Sequence, residues 1–134
     1  MIVVDTSALV AILEQEESAR GFAEAIAEAD LCLISAATLV EAGIVMQARR
    51  GEQGRALLDD LLRDIQPEVV PVTAEHARLA QEAWARFGKG RHPAQLNFGD
   101  TFPYALAKAS SAPLLFKGQD FARTDLALAP GWSA

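Results

Sequence analysis

Four acidic residues stand beside apolar segments of this 134-residue chain, and their chemistry is the most informative feature of the sequence. They are Asp5, Glu41, Asp100 and Asp120. A carboxylate in apolar surroundings must be solvated, paired or bound to a cation, because burying it bare is very costly. Mg²⁺ and Mn²⁺ prefer oxygen ligands and are typically held by only a few carboxylates. Four carboxylates from distant segments therefore suggest a shared divalent cation.

The sequence lacks the cysteine and histidine patterns that other kinds of metal site or a disulfide framework would need. The one cysteine, Cys32, lies in the apolar run LCLI and is expected to be a core residue, so a thiol metal cluster and a disulfide framework are excluded. A chain without disulfides suits a reduced, cytoplasmic setting. His76 and His92 have no metal-ligand spacing. The acids remain as the candidate ligands.

Composition and net charge limit the classes of protein to which this chain can belong. At 51% hydrophobic residues, the chain can bury a full core as a single domain over residues 1–134. The start, MIVVDTSAL, has no basic region, and the longest apolar stretch is interrupted by Ser35, Thr38 and Glu41, so neither a signal peptide nor a membrane span is expected. The net charge of −6 argues against bulk electrostatic binding of nucleic acid, although a bound cation would supply local positive potential.

The apolar pattern predicts the elements that position these acids. Strands are expected at residues 2–4, 31–34, 69–72 and 114–116, with a further short one at 126–128. Helices are expected after Asp5 and over residues 17–29, 36–50, 53–65, 74–87 and 98–110. Gly51 should close one helix and Asn97 should cap another, while Pro71 suggests an edge strand. The alternation predicts an α/β fold with a mostly parallel sheet of four to five strands.

A parallel sheet would bring the acids together. Asp5 and Asp120 follow predicted strands, and ligand sites of parallel sheets lie at the carboxyl ends of strands. Glu41 lies two turns into its helix among apolar neighbours, and Asp100 lies in the first turn of its predicted helix. Each acid alone has a structural explanation, as a helix cap, a surface charge or a turn residue. The set is harder to explain that way.

Two other phosphate-handling classes share a strand followed by aspartate. A phosphatase with an aspartyl-phosphate intermediate needs a second acid two residues later, where this chain has Ser7. A phosphoreceiver domain needs an acceptor aspartate after its third strand, whereas Asp59 and Asp60 fall on a helical pattern. Both classes are disfavoured.

Four blocks, taken in order, resemble the PIN domain in its VapC-type toxin branch. They are IVVDTSALVAIL, the glutamate of ATLVEAGIVM, LNFGDTFPYALAKAS and LLFKGQDFARTDL. The match covers nearly the whole chain, and the last two blocks are the most specific. The resemblance implies a three-layer α/β/α sandwich and a Mg²⁺- or Mn²⁺-dependent endoribonuclease. It also implies the toxin of a type II toxin–antitoxin system, a VapB-like antitoxin that blocks the site, and a homodimer.

Residue by residue, the family's acidic site falls on Asp5, Glu41, Asp100 and Asp120. We expect Asp5 and Asp100 to be direct metal ligands, with Glu41 and Asp120 acting directly or through water. The resemblance adds four auxiliary positions: Thr6, Ser7, Asn97 and Asp125. The expected reaction is in-line attack of water on a phosphodiester, leaving a 5′-phosphate.

RNA must also be held outside the acidic site. Arg86, Lys89 and Arg91 form a basic segment just before the Asp100 block and are candidate RNA contacts. Arg49 and Arg50 form a second basic cluster, and Lys108 and Lys117 lie near the acidic blocks in sequence. Any single one of these cations is more simply a solvated surface charge.

One position departs from the family pattern. Pro103 stands where relatives commonly have alanine; if the helix begins at Phe98, it should cause a local kink without loss of Asp100 as a ligand. The alternative functions are a PIN nuclease that is not a toxin and a catalytically silent RNA-binding PIN protein. A silent version should have lost acids.

Overall fold

A computed structural model of the protein describes residues 1–129. The last part of the predicted domain, residues 130–134, lies outside the described residues. The elements run in chain order as β1 (Ile2–Val4), α1 (Thr6–Leu13), α2 (Ala19–Glu28), β2 (Cys32–Ser35), α3 (Ala36–Ile65), β3 (Glu68–Val70), α4 (Ala74–Phe87), α5 (Thr101–Ser110) and β4 (Leu114–Leu115). A short 3₁₀ turn, Phe121–Arg123, follows β4.

The four strands form one parallel sheet in the order β3-β2-β1-β4. In β1, Val3 is paired with Leu33 of β2 on one side and Leu114 of β4 on the other. The strand β3 lies at an edge, as Pro71 indicated, although it ends at Val70 rather than Val72. The fifth strand expected at residues 126–128 is reduced to a single bridge between Leu114 and Leu128.

Helices cover both faces of the sheet, as the predicted three-layer sandwich requires. Successive residues of a strand point to opposite faces. Ile2 and Val4 pack with residues of α1, α2 and α3 in one core cluster. Val3 packs with residues of α4 and α5 in the other. The central strand β1, which leads into Asp5, is therefore buried on both faces.

The helix α3 bends sharply at Gly51, whose φ of 62° and ψ of −148° are not helical. A Cβ atom on Gly54 would collide with the backbone carbonyl of Met46. In a straight helix these residues would be about 12 Å apart, so the chain must fold back. The predicted end of the helix at Gly51 is thus confirmed, and the bend sets the length of the straight segment that carries Glu41.

The start of α5 differs from the prediction. The helix begins at Thr101 instead of Phe98, and residues 98–100 form a turn. The Asn97 side chain accepts a hydrogen bond from the Asp100 N–H at 3.0 Å, so it caps this turn and not the helix. Pro103 consequently lies in the first helical turn, where its missing N–H would have had no helical partner. The expected kink was wrong because it assumed an earlier start.

Candidate active site

Asp5 is placed at the carboxyl end of β1 and caps the N-terminus of α1. Its carboxylate accepts hydrogen bonds from the Ser7 N–H at 3.0 Å and from the Ser7 hydroxyl at 2.6 Å. The same hydroxyl oxygen accepts a bond from the Lys117 N–H at 2.9 Å. Ser7 therefore orients Asp5 and links it to the chain leaving β4.

Glu41 reaches the same place from α3. The buried Thr6 hydroxyl donates to a Glu41 carboxylate oxygen at 2.6 Å. A Cβ atom on Gly99 would collide with the other Glu41 oxygen, so this carboxylate packs against the turn that precedes α5. Glu41 thus connects the start of α1 with the segment that carries Asp100.

Asp100 is fixed by reciprocal hydrogen bonds with Asn97. Its carboxylate accepts from the Asn97 N–H at 2.9 Å, while its own N–H donates to the Asn97 side chain. The prediction that Asn97 supports the site is consistent with this pairing, although its role is to shape the turn.

Burial and neighbouring charges raise the pKa of two of the predicted acids. Burial raises the pKa of Asp5 to about 6, and the negative charge of Glu41 adds to that rise while hydrogen bonds from Ser7 oppose it. Burial also raises the pKa of Asp100 to about 7, with further contributions from the charges of Asp5, Asp120 and Glu41. The charges of Asp5, Glu41 and Asp120 therefore all act on Asp100, and the charge of Glu41 also acts on Asp5.

Three of the four acids open onto one pocket of about 350 Å³. Its lining combines Asp5, Glu41 and Asp100 with the hydroxyl residues Thr6 and Ser7. Further around it lie Val10, Glu16, Val45, Arg49 and Lys117. Asp120 does not line this pocket; it is exposed at the start of the 3₁₀ turn and affects Asp100 through its charge.

The donor set fits a hard divalent cation. The oxygen ligands that converge here are carboxylates and hydroxyls; Asp5 is buried and Asp100 is half-buried, which favours a compensating positive charge. Within residues 1–129, no three His, Cys, Asp or Glu side chains already form a cluster that could hold a metal ion. The arrangement suits an ion that uses one or two carboxylates and keeps several waters, as Mg²⁺ does.

Asp125, the predicted auxiliary acid, lies elsewhere. Its carboxylate accepts from the Tyr104 hydroxyl at 2.7 Å and from Lys108 at 2.9 Å, and it is paired with Arg86 at 3.4 Å. Burial raises the pKa of Asp125, but the hydrogen bonds from Lys108 and Tyr104 outweigh that effect and the pKa is lowered. The geometry therefore favours Asp120 over Asp125 as the fourth member of the acidic set.

The predicted basic segment does not line the pocket. Arg86 is paired with Asp125 and stacks over the Phe87 ring, with 4.6 Å between the guanidinium carbon and the ring centroid. Lys89 and Arg91 are exposed in the loop after α4. The cations in the pocket lining are Arg49 and Lys117. Lys117 directly follows the strand predicted at residues 114–116, so the rule that sites form at strand ends could have selected it.

Comparison with known proteins agrees with this geometry. A family model described as the PIN domain matches residues 2–126. Ribonuclease VapC30 of Mycobacterium tuberculosis is 50% identical over 127 residues, covering 94% of this chain and 96% of the relative.

Two solved structures share the fold. The sarcin-ricin-loop-cleaving toxin VapC20 of M. tuberculosis has a TM-score of 0.78 at 18% identity, covering 97% of this chain and 99% of that one. VapBC2 of Rickettsia felis, solved with a DNA fragment from its promoter, has a TM-score of 0.75 at 21% identity and complete coverage of both chains. At these identities the likeness concerns the fold alone.

The chain belongs to the PIN-domain family, in its VapC ribonuclease branch. This confirms the resemblance found in its four sequence blocks. Among residues 1–129, no helix is both long enough and apolar enough to cross a membrane.

Proposed function

We propose that this protein is the toxin of a type II toxin–antitoxin system and acts as a metal-dependent endoribonuclease in the cytoplasm. The observation that carries the proposal is the convergence of Asp5, Glu41 and Asp100 on one pocket at the end of β1. Its VapC relatives add support. Retention of all four acids argues against a silent RNA-binding protein.

In the proposed site, Asp5 and Asp100 hold a Mg²⁺ or Mn²⁺ ion, with Glu41 and Asp120 contributing directly or through water. Such an ion, when bound, offsets charge on the phosphate and makes water more acidic. The protein's own part is positional. Ser7 fixes the Asp5 carboxylate, Thr6 fixes Glu41, and the Asn97 turn presents Asp100. Hydrolysis in line with the leaving 3′-oxygen would give a 5′-phosphate.

The enzyme claim is tested with purified protein and RNA. Wild type should cleave in Mg²⁺ or Mn²⁺ and stop in EDTA, and Asp5→Asn should be inactive while its circular dichroism spectrum is unchanged. Mass spectrometry of the products should find 5′-phosphates. Products ending in 2′,3′-cyclic phosphate, or full activity of Asp5→Asn, would contradict the assignment.

The antitoxin is the proposed protein partner. The R. felis neighbour is a VapBC pair, and another neighbour of this fold is a toxin–antitoxin complex from Klebsiella pneumoniae. For this chain, the expected source is a short neighbouring gene that encodes a DNA-binding antitoxin. Its co-expression should relieve growth arrest caused by the toxin and should inhibit RNA cleavage by the purified protein. Unchanged arrest and cleavage would exclude that gene product.

A second copy of this chain is the other proposed partner. An apolar groove of about 450 Å³ lies between α4 and α5, and its lining includes Trp84, Phe98 and Phe102 but no charged residue. Phe98 projects from this face and is 76% exposed. A two-fold interface pairs the same patch on both copies, so a groove and a projecting ring on one face suit it.

Phe98→Ser should therefore shift the mass measured by light scattering from dimer to monomer. Ile44→Ser is the matched control, because Ile44 is 64% exposed on α3 and does not line the groove. A wild-type protein that is monomeric at high micromolar concentration would exclude the dimer.

A further inference from the structure

The carboxylates that line this pocket should repel the negatively charged phosphates of RNA. The chain carries a net charge of −6, and four carboxylates, those of Asp5, Glu16, Glu41 and Asp100, line the cavity into which a phosphate must come. The cations expected to hold RNA, Arg86, Lys89 and Arg91, do not line it. Within the lining, positive charge comes from Arg49 and Lys117. These two are therefore the places to look for a phosphate contact.

Most cations near the pocket already have acidic partners. Lys117 forms an ion pair with Glu16. Arg50 binds Glu14 through two hydrogen bonds, at 3.0 and 2.8 Å, and this pairing lowers the pKa of Glu14. Arg49 makes no side-chain hydrogen bond and no ion pair within residues 1–129, although its charge contributes to the lowered pKa of Glu14. Its guanidinium is exposed, and the nearby Glu14 is already satisfied by Arg50.

The helix α3 places Arg49 on the same wall as the catalytic acid Glu41. Glu41, Val45 and Arg49 are spaced four residues apart, so they lie on one face of the helix, and all three line the pocket. The rise along the axis from Glu41 to Arg49 is about 12 Å. The bend at Gly51 ends the straight segment just beyond Arg49. The wall is acidic at one end and basic at the other.

We propose that Arg49 binds a phosphate of the RNA strand next to the one that is cleaved and thereby positions the strand across the acidic site. A guanidinium can hold two oxygens of one phosphate in a fixed geometry, and an arginine that forms no ion pair within the described residues gives up none when it does so. The inference rests on the proposed RNA substrate. It assigns Arg49 as a positioning residue for RNA.

The test measures RNA binding separately from cleavage. A fluorescently labelled single-stranded RNA of mixed sequence is titrated with protein in EDTA, and anisotropy gives Kd at several salt concentrations. The variants are Arg49→Gln and Arg49→Lys. Arg55→Gln is the matched control, because Arg55 is also an exposed arginine of α3 but lies beyond the bend and outside the pocket lining.

Arg49→Gln should weaken binding roughly three- to tenfold, and the slope of log Kd against log salt should fall by about 0.7, the value for one lost single-strand phosphate contact. Arg49→Lys should restore the slope but only part of the affinity, because lysine lacks the planar fork. Arg55→Gln should match wild type. A merely structural role for Arg49 would not change the salt slope by one contact.

Activity in Mg²⁺ supplies the second measurement. Arg49→Gln should raise KM with little change in kcat, since the contact is made in the bound substrate as well as in the transition state. An unchanged salt slope, or equal effects of Arg49→Gln and Arg55→Gln, would overturn the proposal. So would a wild type that does not bind RNA. RNA binding with the expected slopes but without cleavage would keep the Arg49 contact and reject the nuclease function.

Discussion

Two clusters of charged side chains in this molecule differ in how the negative charge of their carboxylates is compensated. In the first, the acid pocket of Asp5, Glu41 and Asp100, acids face one another and burial raises the pKa of two of them. In the second, the Asp125 cluster, one acid accepts bonds from Tyr104 and Lys108 and its pKa is lowered.

This difference indicates that the Asp125 cluster stabilises the fold, whereas the acid pocket serves a function. The Asp125 cluster is complete within the chain, and it holds the segment after the 3₁₀ turn against α4 and α5. The acid pocket is not complete in this sense, because its charges are balanced by hydrogen bonds and not by cations of comparable number. A site that costs folding energy in this way is typical of one that binds an external cation.

The largest contrast should come from neutralising one acid in each cluster. Asp100→Asn should lower metal-dependent RNA cleavage by at least about a hundredfold, because it removes a proposed ligand. In EDTA at about pH 8 it should raise Tm, since the buried charge is gone. Asp125→Asn should leave cleavage unchanged and lower Tm. Cleavage assays and thermal unfolding check both, and similar effects on activity would break the comparison.

The pH dependence of stability should also follow from the acid pocket. The pKa values of Asp5 and Asp100 are raised in the folded state, to about 6 and about 7, so the folded chain binds protons more tightly than the unfolded one. Their contribution is therefore fully present at low pH and is lost as pH rises from about 4 to about 7.

Urea unfolding in EDTA across this range should show that loss. It should be smaller in an Asp5→Asn, Asp100→Asn double variant, and Mn²⁺ should restore stability in wild type at about pH 8 by binding the folded state. A wild-type profile in EDTA identical to that of the double variant would show that these carboxylates are not destabilising.

Gly99→Ala tests how closely Glu41 must be held. The added methyl group would collide with the Glu41 carboxylate, which is the movable end of a side chain, so the fold should survive and the carboxylate should shift. We expect cleavage to fall by about tenfold, the lower end of the range for supporting residues of metal sites. Gly43→Ala is the control, because a Cβ there would meet nothing within 4 Å. Equal activity of Gly99→Ala and Gly43→Ala would show that cleavage does not depend on the exact position of the Glu41 carboxylate.

The smallest effect should come from Tyr104→Phe in the Asp125 cluster. The substitution removes the hydroxyl that donates to Asp125 at 2.7 Å. Unfolding free energy should fall by about 1 kcal/mol, because the partly exposed Asp125 keeps its cationic partners and access to water. Cleavage should be unchanged. A larger loss of activity than of stability would connect this cluster with the site.

Much of the fold was predictable because the apolar pattern fixes burial along each element. The strands β1, β2 and β4, the helix α4 and the break at Gly51 all follow from local periodicity and glycine. The start of α5 did not, because Asn97 can cap either a helix or a tight turn and the choice depends on what Asp100 contacts. The strand at residues 126–128 shrank to one bridge for a similar reason, as its pairing depends on β4.

By itself, the sequence predicted which four acids form the candidate site. The four carboxylates lie in apolar sequence blocks, and the order of these blocks along the chain can be recognised without a structure. Tertiary structure decided which groups share the pocket. It separated Asp125, which pairs with cations from two helices, from Asp120, whose charge acts on Asp100. It also brought Arg49 onto the pocket wall in place of the basic segment that contains Arg86. Charge in a sequence gives the number of groups available, whereas their interaction depends on distance and burial, which only the packed chain supplies.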